Sequence, residues 1–152
     1  MPRLDLARLI ALALPAVLLG GAYVSQYGFG LYPCEMCWWQ RYPHFAAIGF
    51  AAIAFAIPPK RLWTVLAALA ILASGFIGGF HAGIEYGWWP GITGCARVGG
   101  VDVLDPTAAP LIRCDQAPWD LFGISLAGFN FLFSAGGAIA ILALATPQGR
   151  KA

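Results

Sequence analysis

Charged side chains are scarce in these 152 residues, at 11% of the chain, against about 25% in an ordinary soluble domain. Nine Lys and Arg face seven Asp and Glu, so there is no strongly basic stripe of the kind that holds a phosphate backbone, and no nucleic-acid partner is expected. No glycine loop for phosphates and no dinucleotide fingerprint occurs. The chain has no room for a separate flavin domain. Its two histidines, His44 and His81, fall in different apolar runs, and nothing marks them as a haem pair. No repeat or low-complexity segment stands out, and one domain covering 1–152 is expected.

What the chain has instead is apolar sequence, 60% of all residues, gathered into runs near the roughly 20 residues that cross a bilayer. Four spans are expected, at about 9–27, 38–57, 62–84 and 121–145. The uncharged stretch from Tyr42 to Ile57 rises only about 24 Å as helix, less than a hydrocarbon core of about 30 Å. Extending it back through Arg41, Gln40, Trp39 and Trp38 places the helix start at or near Cys37. Arg41 then lies one turn inside, near the membrane interface, and Pro43 is a candidate bend. The first run has the basic start and apolar stretch of a signal peptide. Its length and the lack of a small-x-small site after it favour a retained span.

Arg3, Arg8, Lys60, Arg61, Arg150 and Lys151 fall on one side of this arrangement, which the positive-inside rule makes cytoplasmic. The expected fold is an all-α membrane protein. It is a four-transmembrane-helix bundle with both termini in the cytoplasm and two extracytoplasmic loops. Trp88, Trp89 and Trp119 flank the second loop as an interfacial aromatic belt. Gly75, Gly79 and Gly83 recur every four residues on the third span, a spacing that lets membrane helices approach closely. Helix packing within one chain is the expected use.

All four cysteines, Cys34, Cys37, Cys95 and Cys114, then lie outside the cytoplasm, where disulfides persist. In Cys34-Glu35-Met36-Cys37 two sulfurs can close a small ring. At a helix start the unpaired N–H groups and the dipole favour a thiolate. Arg41, four residues past Cys37, can share its helix face. A static disulfide and a zinc half-site are the plainer readings. Cys95 and Cys114 have 18 residues between them in a loop rich in Gly, Pro and Asp. A static bridge is the commonest role for such a pair, while two disulfides on one surface can also exchange electrons. A four-cysteine zinc site usually takes two close-spaced pairs, and only one is present here, so no metal is expected. His81 and Glu85 stand four apart near the outer end of the third span. Ionisable groups at that depth are functional candidates, and a mutually satisfied pair is the plainer reading. Asn130 reads as an interhelical hydrogen-bonding residue. If the chain moves electrons, their acceptor must arrive through lipid, which a membrane quinone does.

With those residues in view, Cys34-Glu35-Met36-Cys37-Trp38-Trp39-Gln40-Arg41 resembles the C-x-x-C-(apolar)-(aromatic)-(Glu/Gln)-Arg signature of the DsbB disulfide-forming membrane proteins. The stretch from Cys114 through Trp119 and Gly123 to Ser125 is similar to that family's lead into its fourth span. The order of elements matches along essentially the whole chain. The resemblance implies a bacterial inner-membrane thiol:quinone oxidoreductase that supports disulfide formation. A reduced periplasmic thiol oxidase of the DsbA type would attack a Cys95–Cys114 disulfide at Cys95. Cys114 would pass the electrons to Cys34, and the Cys34/Cys37 pair would deliver them to ubiquinone or menaquinone. Cys37 would be the thiolate beside the quinone, with Arg41 supporting it and His81 near the quinone site. The segment Phe80-His81-Ala82-Gly83-Ile84-Glu85 departs from the family's common Arg-His-aromatic-Leu-Gln pattern, and the gap from Cys95 to Cys114 is short. Two other readings remain: a vitamin K epoxide reductase-like protein, in which the loop pair usually precedes the CxxC, and a non-catalytic four-span scaffold with two static disulfides.

Overall fold

In the computed structural model, residues 2–93 and 113–147 are described. They form helix α1 (Arg3–Gly28), α2 (Glu35–Ala56), α3 (Lys60–Glu85), two short strands β1 (Asp120–Leu121) and β2 (Ile124–Ser125), and α4 (Leu126–Ala145). α1, α3 and α4 are each long and apolar enough to cross a membrane. α2 has 22 residues, about 33 Å of helix, but carries Gln40, Arg41 and His44 in its first half. Pro15 and Pro43 both lie inside continuous helices.

The helices form an antiparallel bundle in which α3 packs most extensively, against α2 on one side and α4 on the other, while α1 lies against α2 and α4. Its core away from the cysteines is built of small residues: Ala7, Ala11, Ala47, Ala51, Ala67, Ala68 and Ala138 are fully buried around Ile71 and Ile141. Without a strong hydrophobic drive between helices in lipid, such small side chains gain contact by letting backbones come close. Arg3 at the start of α1 donates to the carbonyl of Ala143 at the end of α4, 3.0 Å away. Arg3, Arg8, Lys60 and Arg61 therefore share the end of the bundle opposite Cys34. Arg150 and Lys151 lie outside the described residues.

The glycine row does bring helices and rings together. A Cβ on Gly75 would stand 3.1 Å from the Cβ of Ser134 in α4, and one on Gly79 would stand 3.0 Å from the ring of Phe131. Gly83 is covered by the indole of Trp89, whose Nε1 donates to the carbonyl of Phe80 at 2.9 Å. Trp89 is thus folded back onto α3, whereas Trp88 is 68% exposed.

Helix starts differ from expectation: α1 begins at Arg3 rather than near 9, α2 at Glu35 rather than at Cys37, and α4 at Leu126 rather than 121. The last shift arises because residues 120–125 form a tight hairpin pairing Asp120 with Ser125 and Leu121 with Ile124. Phe122 and Gly123 both have positive φ, 54° and 77°, the signature of a type I′ two-residue turn. Apolar content alone extended the helix through this turn. Ser125 then caps α4, its hydroxyl accepting from the N–H of Gly128 at 3.1 Å, a standard helix-start device.

Candidate functional site

The site lies where the N-terminal turn of α2 meets the last turn of α3. Cys34 is the N-cap of α2 and its Sγ accepts from the N–H of Cys37 at 3.2 Å. This is the sulfur counterpart of a serine cap, and it brings the two sulfurs to 2.8 Å. Both are free thiols in the structure. Cys34 is 4% exposed. The adjacent Cys37 sulfur, to which it can donate, and then burial hold the Cys34 thiol well above its ordinary range, against a smaller opposing effect of the Cys37 N–H. Of the two sulfurs, Cys37 is the one that also reaches the cavity between the helices.

Cys114, fully buried, packs in one cluster with Cys34, Met36 and Ile84, with Cys37 and Trp39 against it. The hydroxyl of Thr93 donates to its Sγ at 3.4 Å. Its neighbours Arg113 and Asp115 form a two-bonded pair on the surface, at 2.9 and 2.7 Å, and the guanidinium holds the Asp115 carboxyl below its usual range. The fold thus brings one loop cysteine against the helix-start pair. Cys95 lies outside the described residues, and with it the expected Cys95–Cys114 pairing.

On its other side Cys37 lines a cavity of about 360 Å³ between the helices. Val17, Leu18, Leu126, Phe129 and Phe133 supply apolar walls, and Gln40, Arg41, His44, His81, Glu85 and Asn130 supply the polar ones. A mostly apolar cavity with a few convergent polar groups is the usual form of a small-ligand site.

Arg41 and His81 both line this cavity, but neither is held by the sulfurs alone. Arg41 is 6% exposed. Its two terminal nitrogens donate to Gln26 Oε1 at 2.7 Å and to the carbonyl of Ala22 at 3.3 Å, both on α1. Its guanidinium lies 4.9 Å from the ring centres of Tyr23 and of Trp38. It is a fixed cation on the cavity wall. His81, 2% exposed, places Nε2 at 3.7 Å from Cys34 Sγ and at 3.7 Å from Glu85 Oε1. The His81/Glu85 pairing read from their four-residue spacing is present, and the imidazole also reaches sulfur.

Two residues to which the sequence reading gave no role, Gln40 and His44, join these parts. Gln40 Nε2 donates to the carbonyl of Met36 at 3.2 Å and to His81 Nδ1 at 2.9 Å, while its Oε1 accepts from Asn130 Nδ2 at 2.9 Å. Asn130 Nδ2 also donates to the carbonyl of Ser74 at 3.2 Å, and its Oδ1 accepts from Ser134 at 2.9 Å and from His44 Nε2 at 2.9 Å. The backbone carbonyls of Met36 and Ser74 can only accept, so they fix which way each amide points, and the amides in turn fix the two imidazoles. Neutral His81 takes its lone pair at Nδ1 and carries hydrogen on Nε2, facing Cys34. Neutral His44 carries hydrogen on Nε2, and its buried Nδ1 is left without a partner. The expected interhelical role of Asn130 is present: it ties α4 to α2 and α3.

A helical bundle with apolar spans and a buried dithiol beside an intramembrane cavity defines a membrane protein built around thiol chemistry. The chain belongs to the DsbB family: residues 4–144 match the family model "Disulfide bond formation protein DsbB". It is 35% identical to a "Disulfide bond formation protein B" of Acidovorax sp. (strain JS42), over 99% of this chain and 91% of that protein. It is 37% identical to one of Verminephrobacter eiseniae (strain EF01-2), over 94% and 85%, and 33% to one of Polaromonas sp. (strain JS666 / ATCC BAA-500), over 99% and 95%. A Rickettsia prowazekii protein named only "Uncharacterized protein RP370" is 23% identical over 87% of this chain. No solved structure matches significantly. The family makes the chain a disulfide oxidoreductase of the disulfide-forming type.

Proposed function

We propose that this protein is a quinone-linked thiol oxidase that reoxidises a DsbA-like dithiol partner on the outer face of a bacterial inner membrane. In this reading α2 is the fourth span, the termini are cytoplasmic and all four cysteines are periplasmic. The clustering of Arg3, Arg8, Lys60 and Arg61 at the end away from Cys34 supports that orientation. The route from a DsbA-type oxidase through this family to quinone is the established means of keeping a periplasm oxidising.

One observation carries the reading: the Cys34/Cys37 dithiol sits between a loop cysteine and the apolar cavity, with Cys114 packed beside Cys34 and Cys37 on the cavity wall. Electrons entering at Cys95 and leaving through Cys114 reach Cys34 by thiol–disulfide exchange, which needs direct sulfur contact. Oxidation of Cys34 and Cys37 to a disulfide releases two electrons and two protons. A bound ubiquinone or menaquinone supplies the acceptor of both. The cavity fits such a head group: its walls are apolar, Arg41 offers fixed donors, and His81 offers an N–H. Arg41 orients a carbonyl oxygen and favours negative charge there. His81, with hydrogen on Nε2, faces Cys34, the sulfur placed for exchange with Cys114. The bundle excludes water from both.

The test is oxidation of a dithiol partner by purified protein supplied with quinone. Cys37→Ser is expected to abolish it, together with any visible absorption band from sulfur and quinone in contact. Turnover that survives Cys37→Ser would return the chain to a scaffold with static disulfides.

A further inference from the structure

Disulfide exchange moves electrons without moving protons, because a sulfur displaced from a disulfide leaves as thiolate. When Cys114 attacks Cys34 of a Cys34–Cys37 disulfide, Cys37 is left as a thiolate on the cavity wall. The protons of the partner's thiols stay behind in water. Two thiolates, one quinone and two protons make one disulfide and one quinol. Both protons must therefore reach the buried end of the route by a road of their own.

Glu85 is placed on such a road. It lines the cavity that holds Cys37 and Arg41, and it lines an outer groove with Tyr86, Trp88 and Asp115. No other described residue borders both. Its side chain is 3% exposed. The Ser125 hydroxyl donates to the carboxyl, whereas Oε2 is buried with no hydrogen-bond partner. Buried carboxyl oxygens in a purely structural role are hydrogen-bonded. This one has room for a hydrogen, which turns an acceptor-only carboxylate into a donor. Charge on Glu85 acts directly on Cys37, so the carboxyl stands close to the sulfur that is left without its proton.

The groups around it cannot do the same. His81 Nε2, 3.7 Å from Glu85 Oε1, could pass a proton on only if Nδ1 took one up. Nδ1 already accepts from the Gln40 amide at 2.9 Å, and an amide has no proton to hand over. Arg41 does not give up its proton. Cys34 and Cys114 belong to the electron route. Tyr86 and Asp115 border the groove and not the cavity.

We infer that Glu85 relays protons from water in the outer groove to the inner cavity, where they complete the reduction of the quinone. This rests on the quinone-linked reading above. The acid gives its proton toward the Cys37 sulfur or a ring oxygen, becomes a carboxylate, and is reprotonated from the groove, once for each proton of the quinol. The electrons keep to the sulfurs, and none passes through Glu85.

Two measurements test this, the first without quinone. Full-length protein in detergent, isotope-labelled at its glutamate carboxyls, should show a carboxylic acid C=O band in the infrared. The band should change when the disulfides are reduced and should shift in heavy water without unfolding. Glu35 is the chain's other glutamate, and Glu85→Gln should remove the band. The second is turnover with dithiothreitol and a short-chain ubiquinone. Glu85→Gln should lower kcat roughly a hundredfold, the scale of a positioned acid or base, with the quinone KM little changed. Glu85→Ala should be slow as well and should regain turnover with added formate, a small acid that can occupy the vacated space. The assignment is overturned if no glutamate band responds to reduction and heavy water, or if Glu85→Gln turns over as the parent does. It is equally overturned if a slow Glu85→Ala gains nothing from formate, since a carboxyl needed only for packing would leave that result. Parent protein that reduces no quinone would strike the reading on which the relay rests. Parent protein that does, beside an equally fast Glu85→Gln, strikes the relay alone.

Discussion

Gln40 holds His81 by the ring nitrogen that faces away from sulfur: its Nε2 donates to His81 Nδ1 across 2.9 Å. The same amide accepts from Asn130 at 2.9 Å, so α2, α3 and α4 are joined through one side chain. Removing it by Gln40→Leu leaves His81 Nδ1 buried without a partner, a loss of about 1–3 kcal/mol. The variant should unfold earlier in detergent. Nitrogen NMR of His81 should change from a single Nε2–H form to a mixture of tautomers. A His81 signal unchanged in Gln40→Leu would show that the amide does not set the imidazole.

Alkaline pH should separate the two redox forms. Cys34 is held above its ordinary thiol range in the folded, reduced protein, first by the Cys37 sulfur and then by burial. A group raised on folding stabilises the fold fully below its unfolded pKa, about 8.5 for a thiol, and loses that contribution as pH climbs toward the folded value. Reduced protein should therefore lose stability progressively from about pH 8.5 upward, while the Cys34–Cys37 disulfide form, lacking the thiol, should lose less. Unfolding midpoints followed against pH in both forms decide this. Parallel curves would remove the burial argument for Cys34.

Much of this arrangement was legible because it rests on local chemistry. The Arg41 position one turn inside α2 and the closeness of His81 to Glu85 follow from spacing along a helix, whereas the cap at Cys34 lies three residues before the helix start expected at Cys37. Contacts made across helices were not legible. Nothing near Gln40 or His44 in sequence announces Asn130, some 90 residues away, and Gly78 lies outside the Gly75, Gly79, Gly83 row that spacing singles out. The hairpin at 120–125 was hidden for another reason. Its turn residue Phe122 is apolar, 93% exposed, and hydropathy reads it as helix when its backbone is in a turn.

Arg41→Ala should raise the apparent KM for quinone by about tenfold or more, the effect of losing a hydrogen bond to a charged group worth about 1.5–3 kcal/mol, with a smaller change in kcat. Gln26→Ala tests the support instead of the cation. Gln26 Oε1 accepts from Arg41 at 2.7 Å, and its loss frees the guanidinium without deleting it, so the same parameter should move in the same direction by less. Unchanged quinone kinetics in Arg41→Ala would take the guanidinium off the quinone wall of the cavity.

Gly78 is the position where α3 tolerates least. A Cβ there would meet the carbonyl oxygen of Ala127 at 2.9 Å, Asn130 Nδ2 at 3.0 Å and Gln40 Oε1 at 3.1 Å. The first is backbone and cannot turn aside, and the other two are the partners of one hydrogen bond. Gly78→Ala should therefore push α3 from α4 and strain the Gln40–Asn130 link, for a loss of about 1–3 kcal/mol typical of overpacking. Gly136→Ala is the control, since a Cβ at Gly136 meets nothing within 4 Å and should leave the unfolding midpoint unchanged or raise it. Because Gly78 faces the network and not the sulfurs, the damage should reach the dithiol only through Gln40 and His81. The His81 tautomer signal should blur in Gly78→Ala as it does in Gln40→Leu, and combining the two changes should add little to that signal. Full additivity would mean that the glycine supports helix packing alone.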